Sequence, residues 1–323
     1  MKMLARAVQA VLLLVITLVH AGAAGAIETI VAGGVGSASA NLWPIYIGIN
    51  KGLFAAVGIQ IDLVFSQANT GTIQQLVVEA VNVSIGSGLV DPIRAIEKGA
   101  PLAIVRIEAQ RPPYALLGKA GIKSMKELKG KVVSVGGAKD ITRIFFERML
   151  QSSGVEPKDV DLIFAGATSA RYAALQSGAA DAAILTSPYN FHAVAAGFTN
   201  LGLTSDFVDM PFSGISTNRN WATRNPPTVR KFLAVYTQAI LWLSDPNNRK
   251  EAIDMMVSVS RLKADDVEKA YEFLVVGGFF EPTGRISKSK LGKVVDALKE
   301  LGDIPANFAV ERLFLPDLTQ VSD

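Results

Sequence analysis

The spacing of apolar residues changes half-way along Leu128–Leu150, LKGKVVSVGGAKDITRIFFERML, and that change recurs along the chain. Val132, Val133 and Val135 form a short run suited to a buried strand. Gly136 and Gly137 predict a sharp turn. From Ile141 the period is helical, with Ile144, Phe145 and Met149 on one face. A strand, a glycine turn and a helix N-terminus leave backbone N–H groups and the positive end of a dipole facing open space. That is a site for a small anionic or strongly polar ligand. It is also the ordinary connection of an α/β sheet, so its surroundings must decide.

The same alternation runs on both sides. Before it, strands are expected at Thr29–Ala32, Ile59–Phe65, Val81–Ile85 and Leu102–Ile107, and helices at Trp43–Phe54, Thr72–Ala80 and Pro92–Lys98. Small or polar turns at Gly33–Ala40, Ser66–Thr70 and Gly86–Gly88 join them. After it come strands Val160–Phe164, Ala182–Leu185 and Asn200–Leu203 with helices Ser169–Ser177 and Pro188–Ala196. Tyr114–Gly118 and Phe212–Asn218 read as extended, and Ser124–Leu128 as a short helix. Beyond Asn225-Pro226-Pro227 the pattern turns to long amphipathic helices, with Val229, Phe232, Leu233, Tyr236, Ile240 and Leu243 on one stripe.

Repeated βα units predict mostly parallel sheets flanked by helices. The two blocks join near Gln110–Tyr114 and again near Met210–Gly214. The expectation is two lobes with a paired hinge: residues 27–111 plus 214–323, which include the extra C-terminal helices, and residues 112–213. The βα turns would share the C-terminal edges of the two sheets and face each other across a cleft.

Half of the 323 residues are hydrophobic and 19% are charged, enough for a sizeable core. Residues 1–26 read as a secretory signal peptide: Lys2 and Arg6, the apolar run Val11–Val19, then Ala24-Gly25-Ala26 as the cleavage site. The uncharged run Ala7–Val19 is short for a membrane anchor, the alternative reading. Without Lys2 and Arg6, 30 basic side chains face 29 acidic ones, so the net charge falls from +3 to +1. No basic footprint for nucleic acid emerges. The absence of cysteine excludes disulfides, thiolate metal sites and a cysteine nucleophile. An exported, soluble periplasmic protein fits these features.

Five motifs in order carry a family resemblance. They are Trp43-Pro-Ile-Tyr-Ile-Gly-Ile-Asn-Lys-Gly-Leu-Phe54 with Val57-Gly58-Ile59, Val83-Ser-Ile-Gly-Ser-Gly88, Met125-Lys-Glu-Leu-Lys-Gly-Lys-Val-Val133, Ala174-Leu-Gln-Ser-Gly-Ala-Ala-Asp-Ala-Ala-Ile184 and Asn225-Pro-Pro-Thr-Val-Arg-Lys-Phe232. The chain resembles the type 2 periplasmic solute-binding proteins of ABC importers, in the branch of nitrate, taurine and aliphatic-sulfonate binders and thiamine-precursor-like proteins. It departs at Leu76–Asn82, where the family's glycine and aspartate are missing. The resemblance implies an α/β periplasmic-binding-protein-like clamp, without cofactor and as a monomer. It would close on a small solute, such as a sulfonate or carboxylate, and deliver it to an ABC permease in the inner membrane. No G-x-x-x-x-G-K-[ST] motif is present, so the ATPase would be a separate subunit.

The candidate ligand residues lie in the turns. Ser37, Ser39, Gln67, Asn69, Thr70 and Ser87 offer neutral hydroxyl and amide groups near helix starts, although such residues also serve as N-caps. From the second block come Gly137, Asp140 and Thr142, with Asp140 better suited to a cap than to a ligand contact. Thr186 and Tyr189 stand where the family sets a residue against its ligand. Arg106, within an apolar strand, either pairs with Glu108 or points into the cleft. An enzyme on this fold is the rival class, but His192 stands alone after the leader's His20, and no nucleophile–base set or metal-ligand spacing emerges. A periplasmic sensor for a membrane receptor is a third.

Overall fold

The computed structural model describes residues 27–323; the leader read at residues 1–26 lies outside the described residues. Ten strands form two sheets: β1 (Glu28–Val35), β2 (Ile59–Ser66), β3 (Val83–Gly88), β4 (Leu102–Ala109), β5 (Tyr114–Gly118), β6 (Val132–Val135), β7 (Asp161–Phe164), β8 (Ala182–Thr186), β9 (Thr199–Leu203) and β10 (Ser213–Asn218). The first sheet is ordered β2-β1-β3-β10-β4 and the second β7-β6-β8-β5-β9. Each is parallel except for its fourth strand, β10 or β5, which runs antiparallel to both neighbours. These two odd strands are the ones adjoining the crossings between the sheets. The two-lobed architecture expected from the βα repeats is therefore present.

Helices cover both faces. They are α1 (Trp43–Asn50), α2 (Leu53–Ala56), α3 (Asn69–Val77), α4 (Val90–Glu97), α5 (Ile141–Ser152), α6 (Thr168–Ser177), α7 (Tyr189–Ala195), α8 (Arg219–Arg224), α9 (Pro226–Ser244), α10 (Arg249–Ser260), α11 (Ala264–Tyr271) and α12 (Lys288–Glu300). The C-terminal helices α9, α10 and α11 pack with α1 against one face of the first sheet, burying Trp43, Phe54, Phe232 and Tyr236. A second core lies under α3, α4 and α12 and runs through Tyr114 and Phe212 into the second sheet beneath α5. At ~1.5–3 kcal/mol for each fully buried large apolar side chain, these cores outweigh any single polar contact below. Among the described residues no helix is long and apolar enough to cross a membrane.

Several boundaries differ from the sequence expectation. Gly33 and Gly34, expected in a loop, extend β1. A Cβ on Gly33 would lie 2.9 Å from Thr72 Cγ2, so the absent side chain lets α3 pack directly on the strand. The helix expected at Trp43–Phe54, with its end at Lys51-Gly52 and its continuation into Leu53-Phe54, is present with that break, at Gly52, whose φ is +68°. The break turns Phe54 back onto Gly48 and stacks it on Phe232 with ring centroids 5.4 Å apart. Helix α3 starts at Asn69, three residues before the expected Thr72, so Asn69 and Thr70 form its first turn rather than a loop. Gly86–Gly88, expected as a turn, is the end of β3, with an irregular pairing to β10.

The crossings are tied together. The Phe212 N–H donates to the Ala109 carbonyl at 2.9 Å, and the Tyr114 N–H to Thr204 Oγ1 at 3.2 Å. The Tyr114 ring meets Phe212 edge-on at 5.2 Å and Phe145 at 6.3 Å.

Candidate functional site

The C-terminal ends of β1, β2 and β3 face those of β6, β7 and β8, the place where open α/β sheets bind ligands. Between them lies a cavity of about 180 Å³. Helices α3, α5 and α6 begin at its wall, so three positive helix ends point toward it.

Seven sequence candidates line this cleft: Ser39, Gln67, Asn69 and Ser87 from the first sheet, and Asp140, Thr186 and Tyr189 from the second. Most have a structural duty as well. Ser39 caps a short turn through the Asn41 N–H at 3.4 Å. Thr186 donates to the Pro113 carbonyl at 2.9 Å. Asp140 Oδ1 accepts from the Thr142 N–H at 2.8 Å and caps α5. Tyr189 lies against Tyr172 and His192, with ring centroids 5.7 and 5.9 Å away.

Five candidates lie elsewhere. The Ser37 carbonyl accepts the Tyr46 hydroxyl at 2.7 Å, and burial pushes that hydroxyl up to about 12. Thr70 is exposed in the first turn of α3. Gly137 sits in the turn before Asp140 but does not line the cavity. Thr142 is buried below the wall, where its Oγ1 accepts the Gly136 N–H at 2.9 Å. Arg106 is in neither of its expected places. It is buried in the first-sheet core, donates to Thr237 Oγ1 at 2.6 Å and the Glu281 carbonyl at 2.7 Å, and lies over the Tyr236 ring. Its alternation along β4 turns it away from the cleft and toward the C-terminal helices, and burial lowers its pKa.

The cation that does line the cleft is Arg171, in the second turn of α6. Only 3% of it is exposed. Its Nε donates to the Ile184 carbonyl at 2.8 Å, Nη1 to the Gly166 carbonyl at 2.5 Å and Nη2 to Thr168 Oγ1 at 2.7 Å. The guanidinium lies over the Tyr114 ring, 5.7 Å from its centroid. Burial drives the Tyr114 hydroxyl well above the ordinary phenol range, and the Arg171 charge opposes that shift. Neutral acceptors orient Arg171, but no carboxylate lies within ion-pair distance among the described residues. Taking an ion out of water without a counter-charge costs several kcal/mol, and here the neutral acceptors and the Tyr114 ring are what the guanidinium has in return. The sequence held one overlooked sign: a cation near a helix N-terminus opposes the dipole and calls for a compensating reason.

Two further atoms complete the chemistry. Ser187 Oγ, in the wall beside Thr186, and Asn69 Oδ1 are buried without a hydrogen-bond partner. Among the described residues no group of three or more His, Cys, Asp or Glu could hold a metal ion.

A family model described as NMT1/THI5 like matches residues 39–249. The chain belongs to the NMT1/THI5-like family. No curated protein matches it. Its fold is similar to that of the alkanesulfonate-binding protein SsuA from Xanthomonas axonopodis pv. citri bound to MOPS, with TM-score 0.74, 17% identity, and 92% of this chain and 100% of that chain covered. The periplasmic aliphatic sulphonate binding protein SsuA from Escherichia coli gives TM-score 0.73 at 20% identity, covering 90% and 98%. The periplasmic nitrate-binding protein NrtA from Synechocystis PCC 6803 gives 0.74 at 15%, covering 91% and 88%. At these identities the likeness shows the fold of this NMT1/THI5-like chain, and it is the fold that the five motifs imply.

Proposed function

We propose that the protein is an extracytoplasmic solute-binding protein. It captures a small polar or anionic organic solute, a sulfonate, carboxylate or related acid, in the cleft between its lobes. It then delivers the solute to an ABC permease in the inner membrane, powered by a separate ATPase subunit. The observation that carries this reading is Arg171, a buried cation lining a cleft with no carboxylate partner among the described residues. The leader-like residues 1–26 and the similarity in fold to sulfonate- and nitrate-binding periplasmic proteins support the same reading.

The lining supports binding rather than catalysis. Among the described residues its charged side chains are Arg171 and Asp140, and no histidine, lysine or glutamate lines it to act as a base toward its serine hydroxyls. Closure would be a rotation about the two crossings, selected by a solute that touches both walls.

The test is a thermal-shift screen of mature protein stripped of solute by unfolding and refolding. An acid present at 100 times its Kd should add about 2.7 kcal/mol of stability. The Arg171→Gln variant should fold and lose that response. A response that survives in the variant would remove Arg171 from the site; silence across sulfonates, carboxylates and nitrate would overturn the anionic reading.

A further inference from the structure

We propose that the solute is a zwitterion, its acid group held at Arg171 and its protonated amine held between Asp140 and Asn69. The inference deepens the solute-binding reading and rests on it.

Charge gives the first argument. The cleft is lined by one cation and one anion, Arg171 and Asp140, and each lacks an ion-pair partner among the described residues. A plain anion would satisfy Arg171 and leave the Asp140 carboxylate facing its charge in a confined space, a repulsive arrangement. A zwitterion satisfies both.

Hydrogen bonding gives the second, and it is independent of charge. The Asn69 amide has its orientation fixed by two acceptors, since Nδ2 donates to the Gly88 carbonyl at 3.1 Å and to Asp91 Oδ2 at 2.7 Å. Its Oδ1 is therefore an acceptor, buried and without a partner, on a residue that lines the cleft. An unsatisfied buried acceptor is costly. Asp140 is half-buried at the cleft wall. Its Oδ1 is taken by the Thr142 N–H and hydroxyl, while Oδ2 has no protein partner among the described residues. Both groups lack a donor, and an acid group brings none when ionised. An ammonium brings three.

Position gives the third. Asn69 and the start of α5 meet over Gly88: a Cβ there would lie 3.9 Å from Asn69 Nδ2 and 3.2 Å from Ile141 Cγ2, next to Asp140. The Asp140 charge also reaches Asp91, the acceptor of Asn69, and Tyr114, the ring beneath Arg171, raising both. Asp140, Asn69 and Arg171 thus line one cavity of about 180 Å³. Asp91 itself is matched by Arg94 at 3.6 Å and does not line the cavity.

The test is calorimetric titration of stripped mature protein with matched pairs that differ only in the amine: 3-aminopropanoate against propanoate, 2-aminoethanesulfonate against ethanesulfonate, and longer homologues of each. The amine-bearing member should bind about tenfold or more tightly, the worth of a charge-assisted contact. Asp140→Asn keeps a good capping side chain and removes the charge, so it should abolish that preference, weakening the amine-bearing acids while the plain acids, relieved of the repulsion, bind more tightly than before. Pairs that bind equally in the unaltered protein, or a preference that survives in Asp140→Asn, overturn the zwitterion. No binding by either member of any pair instead overturns the anionic-solute reading beneath it, and the zwitterion with it.

Discussion

His192 Nε2 lies 2.7 Å from Asp266 Oδ2, joining α7 on the second sheet to α11 of the C-terminal helices on the first. Beside this pair Phe191 meets Phe273 edge-on at 6.0 Å. Helix α7 also carries Tyr189, which lines the cleft. A solute pressed against Tyr189 would therefore pull on the same helix that docks across to α11. The pair is partly exposed and is worth at most about 1 kcal/mol. Asp266→Asn should speed solute release up to about fivefold, read by stopped-flow displacement. Asp265→Asn, one residue away and without an ion partner among the described residues, controls for the lost charge at the helix N-terminus. Equal release from both variants would show that α7 docks through Phe191 alone.

Across the cleft a second tie links the sheets. Arg94 of α4 pairs with Asp303 and donates to the Lys139 carbonyl in the turn before α5, and the Lys139 Nζ lies 3.4 Å from Asp303. Burial acts to raise the Asp303 pKa, but the Arg94 hydrogen bond and the two cations outweigh it and hold the carboxyl below its usual range. A depressed carboxyl stabilises the fold above its unfolded pKa, near 3.9, and that contribution is lost as pH falls through the folded value. Asp303→Asn should lower the melting midpoint at pH 6. The gap to the unaltered protein should close below about pH 4. A gap that is constant in pH would mean that shape, not charge, is what Asp303 supplies.

Glu108 has the opposite sign. It is fully buried beneath the cleft, where its carboxyl accepts the Gly86 N–H at 2.7 Å and bonds the Tyr236 hydroxyl. Burial raises its pKa to about 7, against the opposing pull of Tyr236, Gly86 and Arg106. A carboxyl raised in the folded state binds a proton that the unfolded chain has lost, so stability falls as pH rises from about 4.5 to about 7. Glu108→Gln keeps an acceptor for Gly86 and cannot ionise. Its midpoint should change less than that of the unaltered protein between pH 5 and pH 8, leaving the variant relatively more stable at the alkaline end. Parallel pH profiles would show that Glu108 is already ionised when folded.

Much of this was legible in the sequence, and the misses share a cause. Apolar periodicity located every βα unit, because it records which face is buried. It missed the strand ends at Gly33–Val35 and Gly86–Gly88, because those glycines are dictated by neighbours distant in sequence: Thr72 and Val81 against Gly33, and Leu42 against Gly86. The turn positions led to Asn69, Asp140 and Tyr189 because cleft walls are built where strands end. Arg171 escaped because it acts from inside a helix, and its role depends on the Ile184 and Gly166 carbonyls folding around it. Arg106 was misplaced because alternation along β4 fixes its side chain to one of two faces, and the sequence does not tell which one bears the C-terminal helices.

Gly136 tests whether the Asp140 carboxylate is held where the zwitterion needs it. A Cβ at Gly136 would fall 2.5 Å from Asp140 Oδ1 and 3.0 Å from Thr142 Oγ1. The backbone there has no positive φ, so alanine brings no conformational strain of its own, and the collision alone decides the outcome. Gly136→Ala should swing the carboxylate off the Thr142 N–H and cost about 1 kcal/mol, the worth of an N-cap. It should also erase the preference for amine-bearing acids, because Oδ2 moves with Oδ1. Asp140→Asn should lose the preference and keep the cap. Paired melting and titration data on the two variants therefore separate the two duties of one side chain. A Gly136→Ala protein with unaltered stability and unaltered selectivity would show that Asp140 is free to shift without consequence, and that the amine end of the site lies elsewhere.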